Sequence, residues 1–199
     1  DTESGEERVA AHSYGWRAHS AANARWRTGH RQLCFDTLDD HGEPVSQLVD
    51  NEGNVLRRFP FQIAGMSADG RVTCRHPWSA TYAPDGPRIQ SRHEGLDLVD
   101  LDTGEITTVS SIAEMIELHP DPEMLRDAHV NMKMFIFHPK QPWVLWAVSN
   151  GEVRKHFNES AVKALYACRL DGSGLRFVGG FGNHPIWHHE ERKILCNRS

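Results

Sequence analysis

The chain has no surplus of base. Its 22 Lys and Arg stand against 27 Asp and Glu, a net charge of −5, which argues against a general nucleic-acid-binding surface. Long apolar runs are also missing: one of the longest, Trp143 to Val148, is far short of the ~20 residues that span a bilayer, so no membrane segment is predicted. The opening residues include Asp1, Glu3, Glu6 and Glu7 and lack the basic and apolar regions of a secretory leader. Paired cysteines are absent. Cys34, Cys74, Cys168 and Cys196 stand singly, which argues against a zinc ribbon or a thioredoxin-type motif. Each sits in an apolar run, so all four are expected to be buried free thiols. GxSxG, Walker A, HExxH and GxGxxG patterns are absent as well, leaving those catalytic classes unsupported.

What is present is a repeat, with 39% hydrophobic residues to build a core around it. Four segments share an apolar anchor, a five-residue polar turn and a new strand: Trp26 before QLCF, Met66 before VTCR, Phe137 before WVLW and Trp187 before KILC. In each, the second strand starts six residues after the anchor. Three segments continue into a hairpin turn, at residues 51–54, 102–105 and 171–174, rich in Gly, Asn and Asp that tolerate positive φ. Each unit thus reads as the four-stranded antiparallel blade of a β-propeller. The predicted class is all-β, with about three and a half blades within residues 1–199 as one propeller segment: units near 19–60, 61–110 and 129–180, and a partial unit at 181–199. The first blade is predicted to have strands near 21–26, 32–38, 45–50 and 54–59, and the four anchors are expected to be buried between blades. Insertions fall near 76–94, 110–129 and 150–160. The second of them reads as a helix through Ile112, Met115, Ile116 and Leu118, stopped by Pro120 and Pro122.

Thirteen histidines are unevenly placed along these units. His19, Asn23, His129, Asn131, Asn183 and His184 precede inner-strand anchors, where a propeller converges on its channel. His30, His138, His188 and His189 belong to the turns at the other end, expected to face solvent. Arg75, His76, Tyr82, Arg88 and Arg92 cluster in the first insertion, the one place mixing cations with a phenol. An Arg there could grip a carboxylate bidentately. Asp39, Asp40, Asp97, Asp100 and Asp102 are assigned to hairpins and outer strands, which weakens a paired-carboxylate hydrolase.

The unit ALYACRLDGSGLRFVGGFGNHPIWHHEERKILC, residues 164–196, resembles the TolB-type propeller repeat. Within that group, FHPKQPWVLWA, the segment His184-Pro185-Ile186-Trp187 and the AHVN ahead of the third blade are similar to the oligogalacturonate lyase-like propellers among the polysaccharide lyases. The resemblance implies β-elimination on a uronate-containing glycan. That chemistry needs the carboxylate neutralised and a base and acid in hydrogen-bond reach. The expected roles are His129 as base, Arg75 as carboxylate neutraliser, Tyr82 as proton donor and His19 beside them. Asn131, Asn183 and Arg92 would bind substrate. His184 would hold a divalent cation, Mn or Ca, or the carboxylate itself. The alternative is a non-catalytic TolB-like propeller that binds a peptide or glycan. The partner is expected to be an acidic oligo- or polysaccharide, with neither nucleic acid nor membrane involved.

Overall fold

The computed structural model describes residues 5, 7, 9, 11–13, 23–75, 95–126, 130–150, 163–180 and 183–197. They form three four-stranded antiparallel sheets and one two-stranded sheet, each in simple sequential order. The first holds β1 (Arg25–Trp26), β2 (Gln32–Leu38), β3 (Pro44–Asp50) and β4 (Val55–Phe59). The second holds β5 (Ile63–Ala64), β6 (Val72–Arg75), β7 (Gly95–Asp100) and β8 (Ile106–Ser111). After α1 (Ile112–Leu118) and α2 (Glu123–Arg126), the third holds β9 (Val130–Phe137), β10 (Trp143–Asn150), β11 (Lys163–Arg169) and β12 (Arg176–Gly180). The last pairs β13 (Asn183–Trp187) with β14 (Ile194–Asn197). This is the blade topology read from the repeat: all-β, three blades and the first half of a fourth. The chain divides into two compact units, whose described residues run up to Ile63 in one and from Ala64 onward in the other.

The turns repeat as the spacing requires. The anchor-following residue donates its N–H across the five-residue turn in all four units: Arg27 to Gln32, Ser67 to Val72, His138 to Trp143 and His188 to Lys193, at 2.8–2.9 Å. At the hairpins an aspartate folds back on the backbone. Asp50 Oδ1 accepts from the N–H of Glu52 and Asn54, and Asp100 Oδ1 from those of Asp102 and Thr103. These bonds to the charged form hold both carboxyls below their ordinary range. Gly53 and Gly104 then take φ of 90° and 78°, conformations that cost other residues more.

In the first unit, Cys34, Val45, Leu48, Val49, Phe59, Phe61 and Ile63 are buried. Trp26 is not: it is 63% exposed, contrary to the expectation for an anchor. It stands on a two-residue edge strand whose side chains both face out. In the second unit the alternation of β10 and β11 serves two cores. Val144, Trp146, Val148, Tyr166 and Cys168 pack with Cys74, Leu96 and Leu98 of the second sheet and with Met115. Trp143, Leu145, Ala147, Leu165 and Ala167 pack with Trp187. Phe137 and Trp187 are thus buried as predicted, and Met66 is half-buried.

The predicted helix forms as α1. Ser111 Oγ accepts from the Glu114 N–H while Glu114 reaches back to the Ser111 N–H, a capping box. Its one buried side chain, Met115, fastens it to the third sheet: Tyr166 Oη donates to the Met115 carbonyl at 2.8 Å and Trp146 Nε1 to its sulfur at 3.2 Å. Burial pushes the Tyr166 phenol up to about 12.

Cys34, Cys74 and Cys168 are buried free thiols as expected, but Cys196 is exposed. It lies on β14, the second strand of a two-stranded sheet, and only its partner strand β13 covers an edge. Burial drives the Cys34 and Cys168 thiols up to about 12 and raises the Cys74 thiol well above its ordinary value, which suppresses the reactive thiolate.

Candidate functional site at the strand-entry ends

Antiparallel order fixes which residues share an end. In each sheet the start of the first strand, the end of the second and the start of the third lie together, opposite the turns just described. That entry end carries Asn23 in the first sheet, Arg75 and Asp97 in the second, Asn131 in the third, and Asn183 and His184 in the last.

The inner strands share a distortion there. Three non-glycine residues take positive φ among the described residues: Asn23 at 50°, Met134 at 56° and His184 at 51°. Each stands three residues before its anchor. Pairing shows why. Leu145 faces Ile136 and Ala147 faces Lys133, so Met134 and Phe135 together oppose Trp146. Asn183 faces Asn197 and Ile186 faces Leu195, so His184 and Pro185 together oppose Cys196. The strand is bulged at the same repeat position in both. Proline suits a bulge because it has no N–H to give the ladder. Left-handed backbone costs an ordinary side chain about 1–2 kcal/mol, a strain that persists where surrounding structure dictates it and that gathers at functional sites.

Arg75 ends β6 with its Nη1 3.8 Å from Asp97 Oδ2. Asp97 is buried and also accepts from Thr108 Oγ1 at 2.6 Å. Asp97 lies on β7, the third strand of its sheet and paired on both sides. Sequence reading treated the guanidinium as available for a substrate and missed the acid beside it, because the insertion at 76–94 separates the two along the chain. Asn23 Nδ2 donates to the Ile63 carbonyl at 2.7 Å, a bond to neighbouring backbone. His184 is exposed. Asn131 pairs with Ser149 and Asn183 with Asn197 through the backbone. His19, Tyr82, Arg92 and His129 lie outside the described residues. Among the described residues no three His, Cys, Asp or Glu side chains are grouped to hold a metal.

His138 departs from its expected place. It is fully buried rather than solvent-facing. Its Nδ1 accepts from the N–H groups of Lys140 and Gln141, both at 3.1 Å, which puts the ring proton on Nε2, 3.2 Å from the Glu191 carbonyl. His188 uses its Nδ1 the same way toward the N–H groups of Glu190 and Glu191. These turn histidines are structural caps.

No family model matches the sequence, and no curated protein matches it. Among solved structures, a chain named "putative TolB from Agrobacterium tumefaciens" is similar to this one at 13% identity and a TM-score of 0.34, over 76% of this chain. The match spans 62% of that chain's length. No helix among the described residues is long and apolar enough to cross a membrane.

Proposed function

We propose that this chain belongs to a carbohydrate-active propeller that takes a uronate-containing oligo- or polysaccharide at the strand-entry ends and cleaves it by β-elimination. The observation that supports this reading is the bulge repeated three residues before the anchor at Met134 and His184, with the same left-handed backbone at Asn23. A strain recurring at the same end of the third and last sheets supports a binding role for that end. In the reaction, a base removes the proton α to the carboxylate and the C–O bond to the leaving glycosidic oxygen breaks. A C=C bond forms and the leaving oxygen gains a proton. In this reading His129 serves as the base, Tyr82 as the proton donor, Arg75 as the group that neutralises the substrate carboxylate and His184 as a ligand to that carboxylate or a cation, with His19 a further catalytic residue. Asn131, Asn183 and Arg92 hold the sugar hydroxyls.

A second reading has its own support: Arg75 already faces the Asp97 carboxylate. A guanidinium so engaged orients an acidic glycan or peptide as readily as it stabilises an enolate, and the propeller would then bind without cleaving. The test is ultraviolet absorbance of the full-length protein incubated with pectic, ulvan-like and glycosaminoglycan substrates, with and without Mn²⁺ or Ca²⁺. Unsaturated product supports the lyase. Binding of the same substrates without product replaces it with the binding propeller.

A further inference from the structure

At the turn end of the third sheet, opposite the entry end, three guanidinium groups converge on one indole. The Cζ atoms of Arg176, Arg169 and Arg192 lie 4.7, 5.8 and 5.9 Å from the ring centroid of Trp143. They arrive from separate elements. Arg169 is the cross-strand partner of Trp143 at the end of β11, Arg176 opens β12, and Arg192 comes from the turn between β13 and β14. A Cβ on Gly174 would sit 3.2 Å from the ring edge. The indole is 5% exposed, while all three arginines are exposed.

The ring attracts each cation, but three like charges around one point repel one another. The neighbouring acids relieve this only in part. Asp171 is held below its ordinary range first by hydrogen bonds from Ser173 and, less, by the charge of Arg169. Glu190 and Glu191, next to Arg192 in the chain, turn to Lys140 and Lys193. Arg176 and Arg192 have no carboxylate partner among the described residues. In a chain of net charge −5, this is a concentration of unanswered positive charge.

We infer that Arg169, Arg176 and Arg192 form a binding site for a tetrahedral oxyanion, phosphate or sulfate, at the seam between the third sheet and the last hairpin. The covered indole offers no free face for stacking a sugar. What the site presents is guanidinium N–H groups, whose fork matches such an oxyanion. The indole's part is to hold the arginines in place. The group can arrive free or as an ester on a glycan, and the site stands apart from the entry-end reading above.

The experiment is calorimetric titration of the full-length protein at constant ionic strength with inorganic phosphate, inorganic sulfate, a sulfated glycan oligosaccharide and its desulfated counterpart. Saturable binding is expected with the inorganic anions, and Arg192→Gln and Arg176→Gln each weaken it about tenfold, as when a charge-assisted hydrogen bond is lost. Sulfated oligosaccharide binding more tightly than free sulfate identifies an ester as the source; equal affinity identifies the free ion. Binding that Arg192→Gln and Arg176→Gln leave unchanged, in variants that melt like the parent, overturns the site. So does the absence of any heat with all four ligands, which would make the arginines a stacked surface ladder.

Discussion

The imidazole Nε2 of His138 lies 3.2 Å from the main-chain oxygen of Glu191, 53 residues further along the chain. This bond joins the turn of the third sheet to the turn of the last hairpin, and beside it Trp187 Nε1 donates to the Ile136 carbonyl at 2.9 Å. The two rings sit 5.2 Å apart. Replacing His138 by Ala leaves the N–H groups of Lys140 and Gln141 without their acceptor, at a cost of about 1–3 kcal/mol each for any that water does not reach. Urea unfolding of His138→Ala should show a clearly lowered midpoint, and an unchanged midpoint would contradict the capping role.

The anchors should separate by burial rather than by repeat position. Trp187→Ala removes a side chain from the core shared with Leu145 and Leu165 and is expected to cost about 3–5 kcal/mol. Trp26→Ala, at an exposed site, should stay within about 0.5 kcal/mol. Thermal melts of the two variants check this, and equal losses would argue that Trp26 is covered.

Gly65 takes φ of 71°, and a Cβ there would stand 2.8 Å from the Phe135 carbonyl oxygen and 2.9 Å from the Phe137 ring. Gly65→Ala should therefore destabilise by more than the loss typical of a strained backbone alone, upward of about 1 kcal/mol. A parental melting temperature would show that the second and third sheets can part at this point without cost.

Thiol reagents should distinguish Cys196 from the rest. It is exposed, whereas Cys34, Cys74 and Cys168 are buried with thiols held protonated by burial. One equivalent is expected to react rapidly in the folded protein and three more only on denaturation. Rapid reaction of more than one would contradict the packing of the sheets.

Acid should weaken the fold through its turns. Asp39, Asp50, Asp100 and Asp171 are each held below the ordinary carboxylate value by hydrogen bonds to their charged form, among them those from the N–H groups of Glu43, Thr103 and Ser173 and, for Asp50, first from the Asn54 side chain. A lowered folded-state value contributes stability at pH above about 4 that is lost as pH falls through the folded value. The urea midpoint should drop below about pH 4 in the parent and drop less in a variant with all four changed to Asn. A parent midpoint that rises on acidification would reverse the sign.

The blades were legible because turn chemistry and spacing are local: the Asp and Gly pattern at residues 50–54 and 100–104 sets hairpins whatever lies beyond them. The apolar spacing through Ile112, Met115, Ile116 and Leu118 likewise announced α1. What escaped was everything decided between segments. His138 looks like a turn residue until the Glu191 backbone meets it. Trp26 looks like Trp187 until their surroundings differ. Arg75 looks free until β7 brings Asp97 alongside, and nothing local joins Arg192 to Trp143. At the entry end the polar residues were visible in sequence, but the bulge at Met134 and His184 was not, since it is set by the pairing with β10 and β14 rather than by a local turn signal.

The central claim is that the entry ends recognise an acidic glycan. It is tested most directly by titrating the full-length protein with a uronate oligosaccharide and with the neutral oligosaccharide of the same length, in parallel with Arg75→Gln. The account predicts saturable binding of the acidic sugar only, weakened about tenfold or more by the substitution, the effect of removing one guanidinium from a carboxylate. Equal binding of both sugars, or acidic binding that Arg75→Gln leaves intact, would contradict it.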